Sequence, residues 1–423
     1  MQRPSRPVRR APRFDHRTFD VYELSAQVFL GAAMFCLFDV QRISTTIRLG
    51  LIVLGLCSLV VAPRGSVAKV RISPWFALFL AWWVMSYQWR NDPRMWTLMF
   101  RGQLLLLVVV ALHASILDFE KIAKAMLVCM YVTLLDTYKE LVLHPGTSTI
   151  HIDPDGGPPL PGWHGTFIHK NNMTQMLLVG LLLMVFYEQR RWLRYTGIGL
   201  SLVLFAGAHS STGLIGLLVV VSAAFWLRRY REENLKMSAS YVLLTAIFGT
   251  VMLAIGFLLL PLVTSWFGKE VTFSGRTEIW SASLWAIGKK PWTGFGPGGL
   301  WFNRALPPMP EIDRRIGFLA AHAHNGVLDL TLQLGVIGAL LWIGCFTSLF
   351  ARAWRRLRVP GDFATFVILV LVSQLVVSLS EANLFGGFLF LLAIFHGATY
   401  REWGIGTRAH RSQSPETALA GRR

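Results

Sequence analysis

The chain has 423 residues, of which 53% are hydrophobic and 15% charged, with a mean hydropathy of +0.48. That balance excludes an ordinary soluble enzyme of two or three domains and points to one polytopic helical membrane domain. A formal net charge of +18 would suggest nucleic acid as the partner of a soluble protein; here the basic residues gather in alternate connecting segments, as in loops held on the cytoplasmic side, so no nucleic acid is expected.

The Arg-rich, Pro-broken start "MQRPSRPVRRAPRFDHR" reads as part of a cytoplasmic tail over residues 1–20, because the apolar run after it ends in "FDVQR" without a small-residue cleavage site. Apolar runs long enough to cross roughly 30 Å of hydrocarbon as helix then recur within a domain covering residues 21–400. They lie at 21–39, 46–63, 73–89, 96–117, 122–143, 171–187, 193–208, 212–227, 240–263, 324–350, 361–379 and 383–400, twelve in all. Charge checks that count separately, since one missed helix would reverse every later loop. Arg64, Lys69 and Arg71 follow the second run, Lys121 and Lys124 the fourth, and Arg190, Arg191 and Arg194 the sixth. Arg228, Arg229 and Arg231 follow the eighth, Arg352, Arg355, Arg356 and Arg358 the tenth, and the tail 401–423 carries Arg401, Arg408, Arg411, Arg422 and Arg423. Both termini are therefore expected in the cytoplasm. Cys36, Cys57, Cys129 and Cys345 lie in apolar runs without metal-ligand spacing and read as small buried hydrophobes.

Two external connections, 144–170 and 264–323, are longer than a turn needs, and long loops often carry function. The first ends in "GTFIHKNN", which leads His169, Lys170, Asn171 and Asn172 into the sixth run. A lysine at an external helix start opposes both the positive-inside tendency and the helix dipole, which an anionic ligand would explain. "AHSST" (208–212) and "SLSEAN" (378–383) add polar groups at external helix ends, with Glu381 a candidate partner for a basic group and a solvated turn the alternative.

In the second connection the spacing of Trp280, Leu284, Trp285 and Ile287 suits a helix lying at the membrane interface. "GFGPGG" breaks it, either as a plain turn or as a backbone cradle for phosphate, though without the Lys and Ser/Thr of a P-loop. Arg276, just before that helix, has a fork of donors suited to a diphosphate in the headgroup zone; pairing with Glu278 or snorkelling to lipid headgroups are the alternatives. Next comes "AHAHNGVLDLTLQLGVIG" (321–338). In a helix starting near residue 322, His322 and His324 would point about 160° apart, so they share one site only if the helix starts between them. His324, Asn325 and Asp329 would cap and line the first turns of the tenth run, where Asp329 must face protein or water. An interfacial histidine with an Asn/Asp cap is the plain alternative.

Together, "GTFIHKNNMTQ", "SGRTEIW" with "PWTGFG", and the His-Asn pair followed after nine residues by Gly-x-x-Gly (Asn325, Gly335, Gly338) resemble the O-antigen ligase superfamily. It includes O-antigen ligases, Wzy-type polymerases and ExoQ-like exopolysaccharide proteins, and the likeness runs over residues 160 to 345. The resemblance implies an all-α, GT-C-like polytopic integral membrane protein of about twelve transmembrane helices, with interfacial helices in a large periplasmic loop. It implies a metal-independent glycosyltransferase of the bacterial inner membrane, without a cofactor. The implied partners are a glycan donor on undecaprenyl diphosphate, a glycan acceptor and the lipid bilayer, with flippase and chain-length regulator proteins. On that reading His324 is the general base and Arg276 meets the leaving diphosphate, with Lys170 as second choice, while Asn171, Asn325, His169, His209 and Glu381 lie round the substrate.

One departure matters: many members carry a Ser-Arg-Thr-Gly-like segment where this chain reads "HSSTG", with Ser211 in place of the arginine. His209 or Lys170 must then compensate, or the donor is held differently. Joining of repeat units into a polysaccharide is the leading expectation, and ligation to lipid A-core the alternative within the class. A secondary transporter is the alternative from another class, although transporters gather polar groups near the bilayer midplane rather than at external helix ends.

Overall fold

The computed structural model describes residues 16–38, 45–67, 70–90, 94–151, 160–232, 275–298, 300–301, 304–384 and 387–404. The expected run at 240–263 lies outside the described residues, as do 1–15, 264–274 and 405–423. Elsewhere helices stand where the apolar runs do. They are α1 (His16–Phe38), α2 (Thr45–Val60), α3 (Pro74–Ser86), α4 (Arg94–Ile116), α5 (Phe119–Leu143) and the single turn α6 (Pro145–Ser148). After the first long connection come α7 (Lys170–Tyr187), α8 (Arg191–Ala208) and α9 (Ser211–Glu232). The second long connection holds α10 (Arg276–Lys289) and α11 (Met309–Ile316), and α12 (Gly326–Arg356), α13 (Phe363–Ser378) and α14 (Gly387–Gly404) complete the order. The all-α expectation holds for the described residues, with one two-residue strand pair beside the helices. In the Pro- and Gly-rich first connection, β1 (Ile150–His151) and β2 (Leu160–Pro161) pair antiparallel, with Ile150 opposite Pro161 and His151 opposite Leu160.

Among the described residues, Ser211–Arg231 and Gly326–Arg356 are long and apolar enough to cross a bilayer, and Val21–Phe35, Thr46–Val60, Arg101–Ile116 and Phe363–Ser378 are shorter apolar helices. A helix satisfies its own backbone, which is why such segments take this form where water is absent. Their outward faces stay apolar, with Val28, Val53, Leu218, Phe225 and Leu340 exposed, a pattern that suits a lipid surrounding. The side chain of Cys36 lies outside the described residues; of the other cysteines, Cys345 is buried and Cys129 half-buried, whereas Cys57 is exposed on its helix, contrary to the expectation of burial.

Ion pairs tie one end of the bundle, where α5 and α13 begin and α9 and α14 finish. Arg401 meets Asp118 and Lys121 meets Glu23, while Arg231 reaches Asp362 at 3.3 Å and the Phe119 amide donates to Glu402 Oε1 at 2.9 Å. The other end carries the starts of α7, α9 and α12, the finish of α13 and the 275–325 segment. That segment has its own small core of Ile279, Ala282, Phe295, Trp301, Ile312 and Ala323. Trp280 and Trp285, expected at a membrane surface, turn into this unit. Trp280 donates to the Ala323 carbonyl at 3.1 Å, and Trp285 lies under the Arg315 and Lys289 cations at 4.3 and 5.3 Å.

The tenth apolar run, expected as one helix, is broken inside α12 at Gly335, which has φ 69° and ψ −178°. The break frees carbonyls, and the "PWTGFG" turn pairs them. Phe295 N donates to Leu332 O and Gly296 N to Gln333 O, both at 2.8 Å, while Pro291 O accepts from Val336 N at 2.8 Å. Trp82 caps the Leu334 carbonyl at 2.9 Å. A Cβ at Gly335 would lie 2.1 Å from the Trp292 carbonyl oxygen, so only glycine fits. The glycine-rich turn thus spends its amides on the broken helix, and Gly298 N also donates to Gln333 Oε1 at 2.8 Å. Among the described residues of the turn, the amides of Phe295, Gly296 and Gly298 are thus already paired and are not free to cradle a phosphate.

Candidate functional site

Five elements bring polar side chains together at this second end. Arg276 is the first residue of α10, not a residue just before it, behind Gly275 in the left-handed region at φ 77°. It does not pair with Glu278, which accepts from Thr277 Oγ1; its Nη2 reaches Glu381 Oε1 at 3.4 Å. Glu381, in the α13–α14 connection, is 7% exposed, and its Oε1 also accepts from Asn171 Nδ2 at 2.5 Å. Asn171, buried in the first turn of α7, accepts through Oδ1 from Ser210 Oγ at 2.7 Å, and Ser210 in turn accepts from Gly213 N at 3.1 Å at the start of α9. Thr212 and Ser380 meet by their hydroxyls at 2.8 Å. Ser210 is therefore part of a buried network, and Ser380 meets Thr212 in a half-buried contact, rather than either lying in a solvated bend.

The histidines are placed otherwise than a helix from residue 322 would place them. α12 starts at Gly326, after both, with Asn325 as its N-cap. Asn325 Oδ1 accepts from Val327 N and Leu328 N at 3.0 and 3.1 Å, and its Nδ2 donates to Leu379 O at 3.3 Å, so this side chain fixes the helix start against α13. Freed from helical phase, the His322 and His324 rings lie 4.1 Å apart. His324 sits in the left-handed region at φ 46°. His322 Nδ1 accepts the His324 amide at 3.2 Å, which leaves the proton of a neutral His322 on Nε2. Burial above all, then the charges of His324 and Arg276, holds the His322 imidazole well below the usual histidine range.

Donor atoms of His322, His324 and Glu381 all lie within 4.8 Å of one another. These are the atom types of a metal site, but the His322 tautomer and the Arg276 charge on Glu381 both oppose a cation there. The set suits proton transfer beside an anion. Asp329, costly in an apolar run unless paired, faces protein: Oδ1 accepts from Trp301 Nε1 at 2.7 Å and from Ala323 N at 3.4 Å, and Oδ2 from Gln333 Nε2 at 2.6 Å. It ties the histidine segment to α12 and to the glycine-rich turn.

The remaining expected residues flank the cluster. His169 is the N-cap of α7, its Nδ1 accepting from Asn171 N at 3.0 Å. Lys170 is buried and directs its ammonium toward the Pro161 carbonyl at 3.5 Å. His209, next to Ser210, closes α8 in the left-handed region at φ 49°. Sequence reasoning held Ser210 only as part of the "AHSST" turn, and it missed Trp301 and Gln333. Gln333 had a signal, a polar residue four positions after Asp329 on one helix face, whereas Trp301 had none because its partner is distant in the chain.

With this geometry in place, residues 196–343 match the O-antigen ligase family. Two curated proteins are similar. The exopolysaccharide production protein ExoQ of Rhizobium meliloti (strain 1021) is 24% identical over 251 residues, 56% of this chain and 54% of that protein. The general O-oligosaccharyltransferase of Acinetobacter baylyi (strain ATCC 33305 / BD413 / ADP1) is 27% identical over 214 residues, 45% of this chain and 36% of that protein. The matched region thus spans 54% of one relative's length and 36% of the other's. The expected resemblance to O-antigen ligases and ExoQ-like proteins is borne out by these matches.

Proposed function

We propose that this chain is a membrane glycosyltransferase that joins glycan units carried on a lipid diphosphate into a surface polysaccharide or exopolysaccharide, working at the periplasmic face. The observation that carries the reading is the meeting of Arg276, Glu381 and the His322–His324 pair at one end of the apolar helices. Arg276 offers a forked cation to the diphosphate as negative charge develops on it. His324 takes the proton of the acceptor hydroxyl as its oxygen bonds to the anomeric carbon. The bond from that carbon to the diphosphate breaks, and the electron pair leaves with the lipid diphosphate. Lys170, buried near the start of α7, supplies further positive charge in place of the arginine that Ser211 replaces.

The relatives' names support this class of reaction and leave two acceptors. The ExoQ likeness favours a growing polysaccharide, and the oligosaccharyltransferase likeness favours transfer of the whole glycan to another hydroxyl. In a deletion strain, short polymer with intact single-unit surface glycan marks a polymerase, and polymer held on the lipid carrier marks a ligase. Purified protein in proteoliposomes with the lipid-linked unit tests the class itself: elongated or transferred glycan is expected, and uptake of a soluble solute without transfer would instead identify a transporter.

A further inference from the structure

Glu381 stands between the two halves of the proposed chemistry. Its Oε1 holds Arg276 at 3.4 Å, a long contact, while Asn171 Nδ2 anchors the same atom at 2.5 Å. A donor atom of each histidine lies within 4.8 Å of it and of the other. Asp329, the acidic group of α12 nearby, is already engaged by Trp301, Gln333 and Ala323. The geometry points to Glu381 as a positioning residue held alternately by two cations: it pairs with Arg276 in the empty site and turns to the His322–His324 pair when a lipid diphosphate draws Arg276 away. This inference rests on the glycosyl-transfer reading for its kinetic part.

The physical reason is competition for one fork. A diphosphate offers Arg276 two charged groups and bidentate geometry, which outmatches a single 3.4 Å contact with one carboxylate. Anchored by Asn171, Glu381 does not follow the guanidinium, and a nearly buried carboxylate stripped of its cation is costly. The imidazolium formed when the base accepts the hydroxyl proton replaces that cation, and His322, donating from Nε2, links carboxylate and base. Proton uptake is then favourable only with donor in place, so the base is switched on by the donor. The charged and titratable groups round the pair are Arg276 from α10, Asp329 from α12 and Glu381 from the α13–α14 connection; Lys170 and His209 adjoin Asn171 and Ser210 at the ends of α7 and α8.

Full-length wild-type, Glu381→Gln and Glu381→Asp proteins in detergent are compared first for undecaprenyl diphosphate binding, which requires no transfer. Glu381→Gln should bind the lipid roughly threefold to tenfold more tightly, since Arg276 loses its competitor. Equal or weaker binding overturns the exchange. In proteoliposomes the same variant should lose roughly 10²-fold in kcat without a rise in donor KM, and the pH at which kcat rises should fall by about one unit because the base has lost its carboxylate. Glu381→Asp should recover at least part of kcat and return the pH profile toward wild type. A parallel loss of kcat and donor affinity with an unmoved profile would assign Glu381 a structural role only. If the wild type transfers no glycan, the function reading falls, while the affinity comparison still decides whether Arg276 is shared.

Discussion

His324 occupies the left-handed region at φ 46°, a conformation that costs a non-glycine residue on the order of 1–2 kcal/mol and recurs at functional sites. The surrounding bonds hold it there: Trp280 and Asp329 grip Ala323 on one side, and Asn325 caps α12 on the other. His324→Ala should leave membrane insertion unchanged and reduce transfer by roughly 10²–10⁴-fold, measured as polymer formed by purified protein. Arg276→Lys keeps the charge but loses the fork and should cost at least about 10²-fold; near-normal activity with Lys would remove the diphosphate-clamp role. His322 makes a prediction in pH. Its folded-state value is depressed, so the stability it contributes is complete above the unfolded value of about 6.5 and is lost as pH falls, because the unfolded chain then binds a proton that the folded one refuses. The unfolding midpoint in detergent should therefore drop as pH falls below about 6.5. His322→Gln should flatten that part of the dependence. Both histidines were legible as titratable groups at a helix entrance; that they share a site was not, since helical phase separates residues two apart unless the helix starts beyond both.

At the scale of elements, the broken α12 gives the Gly-x-x-Gly spacing its physical content. Gly335 makes the break, and the turn containing Gly294 enters it so closely that a Cβ at Gly294 would stand 2.6 Å from Gly335 N. Gly335→Ala meets both a forbidden backbone region and the Trp292 carbonyl, and should destabilise the protein by at least ~2 kcal/mol. Lowered thermal stability and reduced transfer, with wild-type membrane insertion, are the expected results; a variant of unchanged stability would mean the turn can withdraw from the helix without loss. The positions of the apolar helices were readable from periodicity and length because each such helix satisfies its own backbone. The break was not readable, since its carbonyls are paired by residues about forty positions earlier and by Trp82, far away in the chain.

For the whole molecule, the described helices deliver their ends alternately to the ion-paired face and to the face that gathers Arg276, Glu381 and the histidines. The proposed orientation puts the first in the cytoplasm and the second in the periplasm, in line with the basic residues that follow alternate runs. Single cysteines introduced at Thr147 and Val359, both exposed and near opposite ends, test it. In a background with the native cysteines replaced, an impermeant maleimide applied to spheroplasts should label the first and not the second. The reverse pattern would turn the site to the cytoplasm and remove the periplasmic reading.

Composition, run length and charge alternation were enough to establish a many-helix apolar chain with polar groups at helix entrances, because these properties are local and each helix carries its own periodicity and flanking charge. They also singled out Arg276, His324, Lys170, Asn171 and Glu381 as unusual for where they stand. Only the tertiary structure decided which of them meet. Arg276 reaches Glu381 across 105 positions and Asn171 reaches the same oxygen across 210, and no local pattern encodes a contact made by folding distant helix ends together. The glycine-rich turn changed its meaning for the same reason: the amides of Phe295 and Gly296 are spent on carbonyls of a helix that the sequence shows as unbroken.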